Sequence, residues 1–288
     1  MHLPILFKSG QGNNSQLSIF NFPLYSPFTL TVKYLRYYFT ASSGKGHGIH
    51  SPFVFDFIKH VLNDRQAYPC YTGIESRRAA LLKDTTTIEV EDFGAGSSVI
   101  KTNKRVVRHI AGSSLKSKKF SQLLFRMVKH YQPKTIVELG TSFGITTAYL
   151  ASGNENAMVY TCEGAKNIAA IAGQHFSSLQ LNNVELIPGD FTQTLPALLQ
   201  QLPQVDLAFI DGNHRKAPTL DYFTGFLNSS TGSTILIFDD IHWSDEMEAA
   251  WEAIRQHSRV TLTIDLFFIG IVCINPAVKV KQHFTIRF

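Results

Sequence analysis

The stretch "TIVELGTSFGITTAYLA", residues 135–151, decides the fold. It is an apolar, β-branched run, a turn opened by Gly140 and closed by Gly144, and then a helix-forming segment. Strand, glycine turn and helix in that order open a parallel α/β unit. Before it, "SKKFSQLLFRMVKHYQ" reads as an amphipathic helix. After it, "AMVYTCE", "VELIPGD", "VDLAFIDG" and "STILIFDD" read as strands, with helices near 144–152, 164–178, 192–201, 216–228 and 243–257. Short apolar strands alternating with helices predict a parallel sheet covered on both faces. The ending "RVTLTIDLFFIGIVCIN" holds two runs too close for a helical crossover, so they must pair antiparallel. The expected class is α/β: a doubly wound, mostly parallel seven-stranded sheet with an antiparallel last strand, over residues 117–288.

Upstream, the pattern differs. Residues 1–30 are rich in Asn, Ser, Pro and Phe without periodicity, which predicts a flexible arm. Residues 31–116 read as a helical extension or lid, with helices over "TVKYLRYYFTA" (31–41), "SPFVFDFIKHVLND" (51–64) and "IESRRAALLKD" (74–84). Ser51 and Pro52 suit the N-cap and first position of the second helix. His47 and His50 in "GHGIH" are read as a helix-entry loop before a metal pair.

The 288 residues, 44% of them hydrophobic, suffice for one sizeable core and an appendage. No run of roughly 18 apolar residues is present, so no membrane span is expected. The first residues lack an apolar h-region with a small-residue cleavage site, so no secretory signal is expected. Cys70, Cys162 and Cys273 are scattered and odd in number, which fits buried thiols in a reducing, cytoplasmic setting. The net charge of +5 hides an asymmetry: from Phe93 to Val137 there is no Asp or Glu, and the remainder of the chain is net acidic. Such a basic block attracts phosphate or nucleic acid in some proteins and is more often a solvated helix face.

A second glycine turn competes with the first. "EVEDFGAGSS", residues 89–98, is closer to the dinucleotide fingerprint, but no carboxylate follows it where a ribose-binding acid is required, about 20 residues on. The turn at Gly140 meets that requirement through Glu163. It lacks the central glycine that lets backbone approach a pyrophosphate, which disfavours a dehydrogenase. A cofactor with a nucleoside but no phosphates, such as S-adenosylmethionine, fits both facts.

At these residues the chain resembles a known family. "VELGTSFGITTAYLA", "TCEG", "PGDF", "AFIDGNHR" and "LIFDDIHW" follow the order of class I S-adenosylmethionine-dependent methyltransferases. They are most similar to the metal-dependent small-molecule O-methyltransferases related to catechol O-methyltransferase, over about residues 117–275. The resemblance implies a Rossmann-like methyltransferase fold and methyl transfer to the hydroxyl of a small molecule. It implies that Glu138 positions the methionine part, that Gly140, Thr141 and Gly144 line the cofactor turn, and that Glu163 binds the ribose. Asp190 and Phe191 would serve the adenine, and Asp211 would border the cofactor.

Asp211, Asp239 and Asp240 end strands expected to be neighbours, so their carboxylates should converge on the sheet's carboxyl edge. Three acids repel unless a cation sits among them, and hard oxygen ligands suit Mg2+ as a Lewis acid. Either aspartate at 239 or 240 would alternatively serve only as a cap. His214, three residues past Asp211, and His242 are the candidate bases, with structural histidines the alternative for both. Asn213 stands where related sugar and macrolide enzymes carry an aspartate. Competing functions are an RNA ribose methyltransferase using the basic block and a non-catalytic cofactor-binding relative. Base N-methylation is disfavoured, because "IDGNH" replaces the turn of base N-methylating relatives; ribose O-methylation stays open, and nucleic acid is the less expected partner. The aromatic helices at 31–64 suit either a homodimer surface or a cover over the site.

Overall fold

Helix begins earlier than composition suggests. The computed structural model describes residues 24–46, 48–92, 101–276 and 278–288, with the backbone alone for 91, 92 and 101–103. Ser26 Oγ accepts the Thr29 amide at 3.1 Å and Pro27 opens helix α1 (Pro27–Thr40), so residues 27–30 are helix, with Leu30 buried. Residues 1–23 of the expected arm, and His47, lie outside the described residues. Helix α2 (Pro52–Phe57) starts at Pro52 as expected, although Ser51 makes no side-chain cap, and it widens into a π-helical turn, Ile58–Leu62. Helix α3 (Cys70–Leu81) follows. The extension is not wholly helical: β1 (Thr87–Asp92) and β2 (Lys101–Val106) form an antiparallel hairpin before α4 (Val107–Ser114). The hairpin's charged residues hid it from a hydrophobicity reading.

The remainder alternates as expected. The elements are α5 (Lys118–Tyr131), β3 (Thr135–Leu139), α6 (Ile145–Gly153), β4 (Met158–Glu163), α7 (Lys166–Ser178), β5 (Val184–Pro188), α8 (Phe191–Gln201) and β6 (Val205–Ile210). Then come α9 (Lys216–Asn228), β7 (Ser230–Asp239), α10 (Asp245–Gln256), β8 (Leu262–Asp265), β9 (Ile269–Cys273) and β10 (Gln282–Thr285). The sheet runs β5-β4-β3-β6-β7-β9-β8-β10, with β9 antiparallel to both neighbours. It therefore has eight strands where seven were expected, and the last strand, β10, lies parallel to β8. Strand β10 is four residues long and only half-buried, too faint a pattern to read from "QHFT".

Successive residues feed opposite faces, as pleating demands. Ile136, Phe209 and Ile237 pack with Leu123, Leu124 and Met127 of α5; Val137, Leu139 and Phe238 pack on the other side with Leu195, Phe226 and Trp251 of α8, α9 and α10. Val54, Phe57 and Val61 join the first of these clusters, so the extension shares the sheet's core. Tyr34 and Tyr37 of α1 meet the ring of Phe267 at 5.1 and 5.3 Å, while Phe28, Val32, Leu35 and Phe39 stay exposed on its outer face. Among the described residues no helix is long and apolar enough to cross a membrane. Strand order reverses at β3, between β4 and β6, where the carboxyl ends of an open α/β sheet leave a crevice.

Candidate active site

At that crevice the ends of β3 and β6 are locked together. The Asp211 amide donates to the Leu139 carbonyl at 2.9 Å, and Gly140 takes φ 99° with its α-carbon so close to the Asp211 carbonyl that a β-carbon would collide with it. Glycine is needed there for strand packing whether or not a ligand binds. Thr141 Oγ1 pairs with Thr161 Oγ1 at 2.6 Å. Gly144, at φ 78°, begins α6 with the Phe176 ring 2.5 Å from where its β-carbon would stand.

Glu138 is fully buried just below this turn. Its Oε2 accepts from Thr161 Oγ1 at 2.6 Å and from Thr147 Oγ1, while Oε1 is buried with no partner among the described residues. Burial pushes its carboxyl up to about 8, against the two threonine hydroxyls. Glu163 ends the neighbouring strand. Its Oε2 accepts the Ser142 amide at 2.7 Å and its Oε1 the Ala165 amide at 2.9 Å, and burial raises its pKa against those bonds. Asp190 follows β5 and caps α8, Oδ1 accepting Thr192 N at 2.8 Å and Thr192 Oγ1 at 2.9 Å. The Phe191 ring lies against Gly212, edge-on to Tyr222 at 6.3 Å. Glu138, Glu163, Asp190 and Asp211 thus stand at the carboxyl ends of β3, β4, β5 and β6.

The competing turn has no such position. The strand leading into "EVEDFGAGSS" belongs to the β1–β2 hairpin, outside the eight-stranded sheet, and leans on α7 through Asn167 Nδ2 to the Glu89 carbonyl at 2.8 Å. Residues 93–100 lie outside the described residues.

Asp211, Asp239 and Asp240 share a surprise: the cation among them is a lysine. Lys116, from the α4–α5 loop, puts its ammonium in contact with Asp239 Oδ2 and 3.6 Å from Asp240 Oδ1. Its side chain is 11% exposed and that of Asp239 2%. Burial alone would lower the lysine's pKa, but the charges of Asp239, Asp240 and Asp211 outweigh it and keep the ammonium charged. Asp239 is driven well above the ordinary carboxylate range by burial and by Asp211 and Asp240, with Lys116 pulling the other way. The raised Asp239 carboxyl means that Lys116 only partly offsets the crowding of the three acids. Among the described residues no three His, Cys, Asp or Glu side chains are arranged to hold a metal ion. Mg2+, expected from the three acids, does not fit this donor set while Lys116 occupies it, because an ammonium repels a dication and already claims a ligand oxygen.

His214 belongs to the same cluster. Its Nε2 lies 3.3 Å from Asp211 Oδ1. Burial would lower its pKa, yet the Asp211 hydrogen bond and the charges of Asp240 and Asp211 raise it. The Asp211 carboxyl is pushed up by burial but held below its ordinary value by His214 and Lys116. Asn213 is turned away, donating to Tyr222 Oη at 2.9 Å. His242 corrects an expectation. Its Nδ1 meets Glu248 Oε1 at 3.0 Å and its Nε2 meets Asp265 Oδ2 at 2.8 Å, so neither ring nitrogen is left to take a proton from an acceptor.

Lys116 was visible in the sequence only as one member of the basic block. Other members serve elsewhere: Arg126 and Lys129 line a 380 Å³ cavity with Lys59, His60 and His130, at the far end of α5 from Lys116. The unbalanced acid triad was the one available signal that some buried cation was needed.

No curated protein sequence matches the chain. Among solved structures, the O-methyltransferase of Bacillus cereus in complex with SAH is 20% identical, with 73% of this chain and 92% of that one covered at a TM-score of 0.53. SAH-bound PaMTH1 of Podospora anserina is 14% identical over 74% and 91%, with a TM-score of 0.55. The O-methyltransferase TomG of Streptomyces achromogenes, in complex with SAM, is 20% identical over 56% and 82%, with a TM-score of 0.50. These likenesses establish the shared fold. Residues 137–241, from within β3 to just past β7, match the family model of a methyltransferase domain, and this stretch carries the crevice at β3 and β6.

Proposed function

We propose that the chain transfers a methyl group from S-adenosylmethionine to a hydroxyl oxygen of a small molecule. Glu163 carries this reading. It stands beside the glycine turn, its oxygens accepting the Ser142 and Ala165 N–H groups and keeping lone-pair capacity for a hydroxyl of the vicinal diol that distinguishes a ribose. Glu138 Oε1, buried and unpartnered, suits the methionine ammonium, which would also lower the carboxyl's raised pKa. The second oxygen of Asp190 and the ring of Phe191 suit the adenine. Gly140, Thr141 and Gly144 shape the turn between these groups.

When bound, S-adenosylmethionine supplies a methyl group on a positively charged sulfur, already electrophilic. The protein's part is to orient the acceptor oxygen and receive its proton. His214 is the base in this reading, held by Asp211. It accepts only when neutral, so the rate should rise as pH climbs through its raised pKa. Acceptor recognition falls to the loops over the strand ends, and the exposed stripe Phe28, Val32, Leu35, Phe39 is the surface a homodimer would use. The free cysteines, Cys162 and Cys273 buried and Cys70 partly so, suit a reducing cytoplasm.

Calorimetric titration with S-adenosylhomocysteine tests the assignment. Glu163→Ala should weaken binding on the order of a hundredfold, two charge-assisted hydrogen bonds being lost. Unchanged affinity in a folded variant would sink it.

A further inference from the structure

Lys116 is delivered to the acidic cluster by a built arrangement. Its carbonyl accepts Arg78 Nη1 at 2.6 Å and Ser121 Oγ at 3.3 Å. Arg78, itself buried, is fixed by Glu75 at 3.0 Å and by Ser121 Oγ at 3.2 Å, and Glu75 accepts the Tyr149 hydroxyl at 2.8 Å. Two residues before Lys116, Ser114 Oγ bonds Ser142 Oγ at 2.8 Å, tying the same loop to the glycine turn. The lysine's backbone is thus clamped from α3, α5 and the turn, and its chain leads inward to Asp239 and Asp240. A long side chain clamped in this way and ending in contact with a carboxylate that is 2% exposed is not a surface lysine caught in passing. A divalent ion here would need oxygen ligands at about 2.0–2.6 Å, one of which the ammonium already holds.

We propose that Lys116 is the resident cation of the Asp211–Asp239–Asp240 cluster, standing in place of a divalent metal, so that the site works without one. The inference deepens the methyl-transfer reading by naming the charge that faces the acceptor, and its metal arm does not depend on that reading. Asp239 Oδ1 is buried without a hydrogen-bond partner among the described residues, so the cluster keeps an oxygen that a cation would take if the lysine were removed. That is the basis of the test.

Mn2+ titrations followed by electron paramagnetic resonance, without cofactor or acceptor, read the cluster directly. Wild type and Lys116→Arg should show no stoichiometric Mn2+ site. Lys116→Ala should gain one, tighter by roughly tenfold or more than any wild-type binding once the ammonium's repulsion is gone. Adding Asp239→Asn to that variant should abolish it. Stoichiometric Mn2+ binding by wild type that Asp211→Asn removes would overturn the proposal, and so would a folded Lys116→Ala that gains no site. If Lys116→Ala does not fold, the wild-type and Asp211→Asn titrations still decide it. Loss of S-adenosylhomocysteine binding would count against the methyl-transfer reading alone.

Discussion

Two acid-rich clusters lie on either side of the β7 carboxyl end, and each receives a lysine from the N-terminal extension. In one, His242 is held by Glu248 and Asp265, and Glu248 also accepts from Lys33 at 2.9 Å and the Tyr25 hydroxyl at 2.9 Å. In the other, Asp211, Asp239, Asp240 and His214 share the ammonium of Lys116. The first is saturated: both imidazole nitrogens are engaged, and charges of both signs meet in pairs. In the second, Asp239 Oδ1 has no hydrogen-bond partner among the described residues. A balanced, closed network acts as a clasp, here joining α1 to the β8–β9 turn. One that keeps an unbonded carboxylate oxygen has capacity left to bind.

Removing each lysine should separate them most sharply. Lys116→Ala leaves buried carboxylates without their cation and should cost about 3–5 kcal/mol at neutral pH, measured by urea denaturation. The loss should shrink on acidification, because Asp239, raised in the fold, is then protonated. A loss under about 1 kcal/mol would mean the lysine only brushes the cluster. Glu248→Ala strips the clasp of its shared acceptor and should cost about 2–3 kcal/mol while leaving S-adenosylhomocysteine affinity unchanged. A fall in that affinity would merge the two clusters into one site.

The clasp should also titrate. His242 is raised from 6.5 to about 9, burial being outweighed by Asp265 and Glu248, so its contribution is complete below pH 6.5 and lost as pH rises through 9. Glu248 is lowered from 4.5 to about 2, burial being outweighed by His242, Lys33 and Tyr25, so its contribution is complete above pH 4.5 and lost as pH falls through 2. Full strength lies between, and the alkaline loss should be about 2 kcal/mol given partial solvent exposure. In His242→Gln the alkaline part of the stability profile should flatten. Lys33→Ala should matter least, about 0–1 kcal/mol, since this pair is a third exposed on both sides.

Much of this was legible in the sequence, for identifiable reasons. The inner strands among the five from "KTIVELG" to "STILIFDD", and the closing hairpin, announce themselves because burial on both faces requires apolar runs, while the edge strand β5 shows through its place in the alternation. Spacing placed Glu163 at the end of its strand, and the strand-ending positions of Asp211, Asp239 and Asp240 brought them to one edge, since strand ends in a parallel sheet share it. Strand β10 and the β1–β2 hairpin were missed because half-exposed or charged strands carry little apolar signal. His242 looked like a site residue because it follows Asp240 by two positions. Asp240 turns at φ 51°, and the imidazole ends between Glu248 and Asp265.

The sequence alone determined the alternation and the strand-ending acids, and it favoured one glycine turn over the other. It ruled against "EVEDFGAGSS" by a missing carboxylate, and the hairpin's separation from the main sheet agrees. Those properties follow from local patterns and from periods that burial imposes along a strand or helix. Only the tertiary structure decided which cation meets the acids and which histidine is already occupied. Ion pairing at depth depends on through-space approach between distant segments, and Lys116 reads in the chain like any other lysine of its basic block until Arg78 clamps its backbone above Asp239.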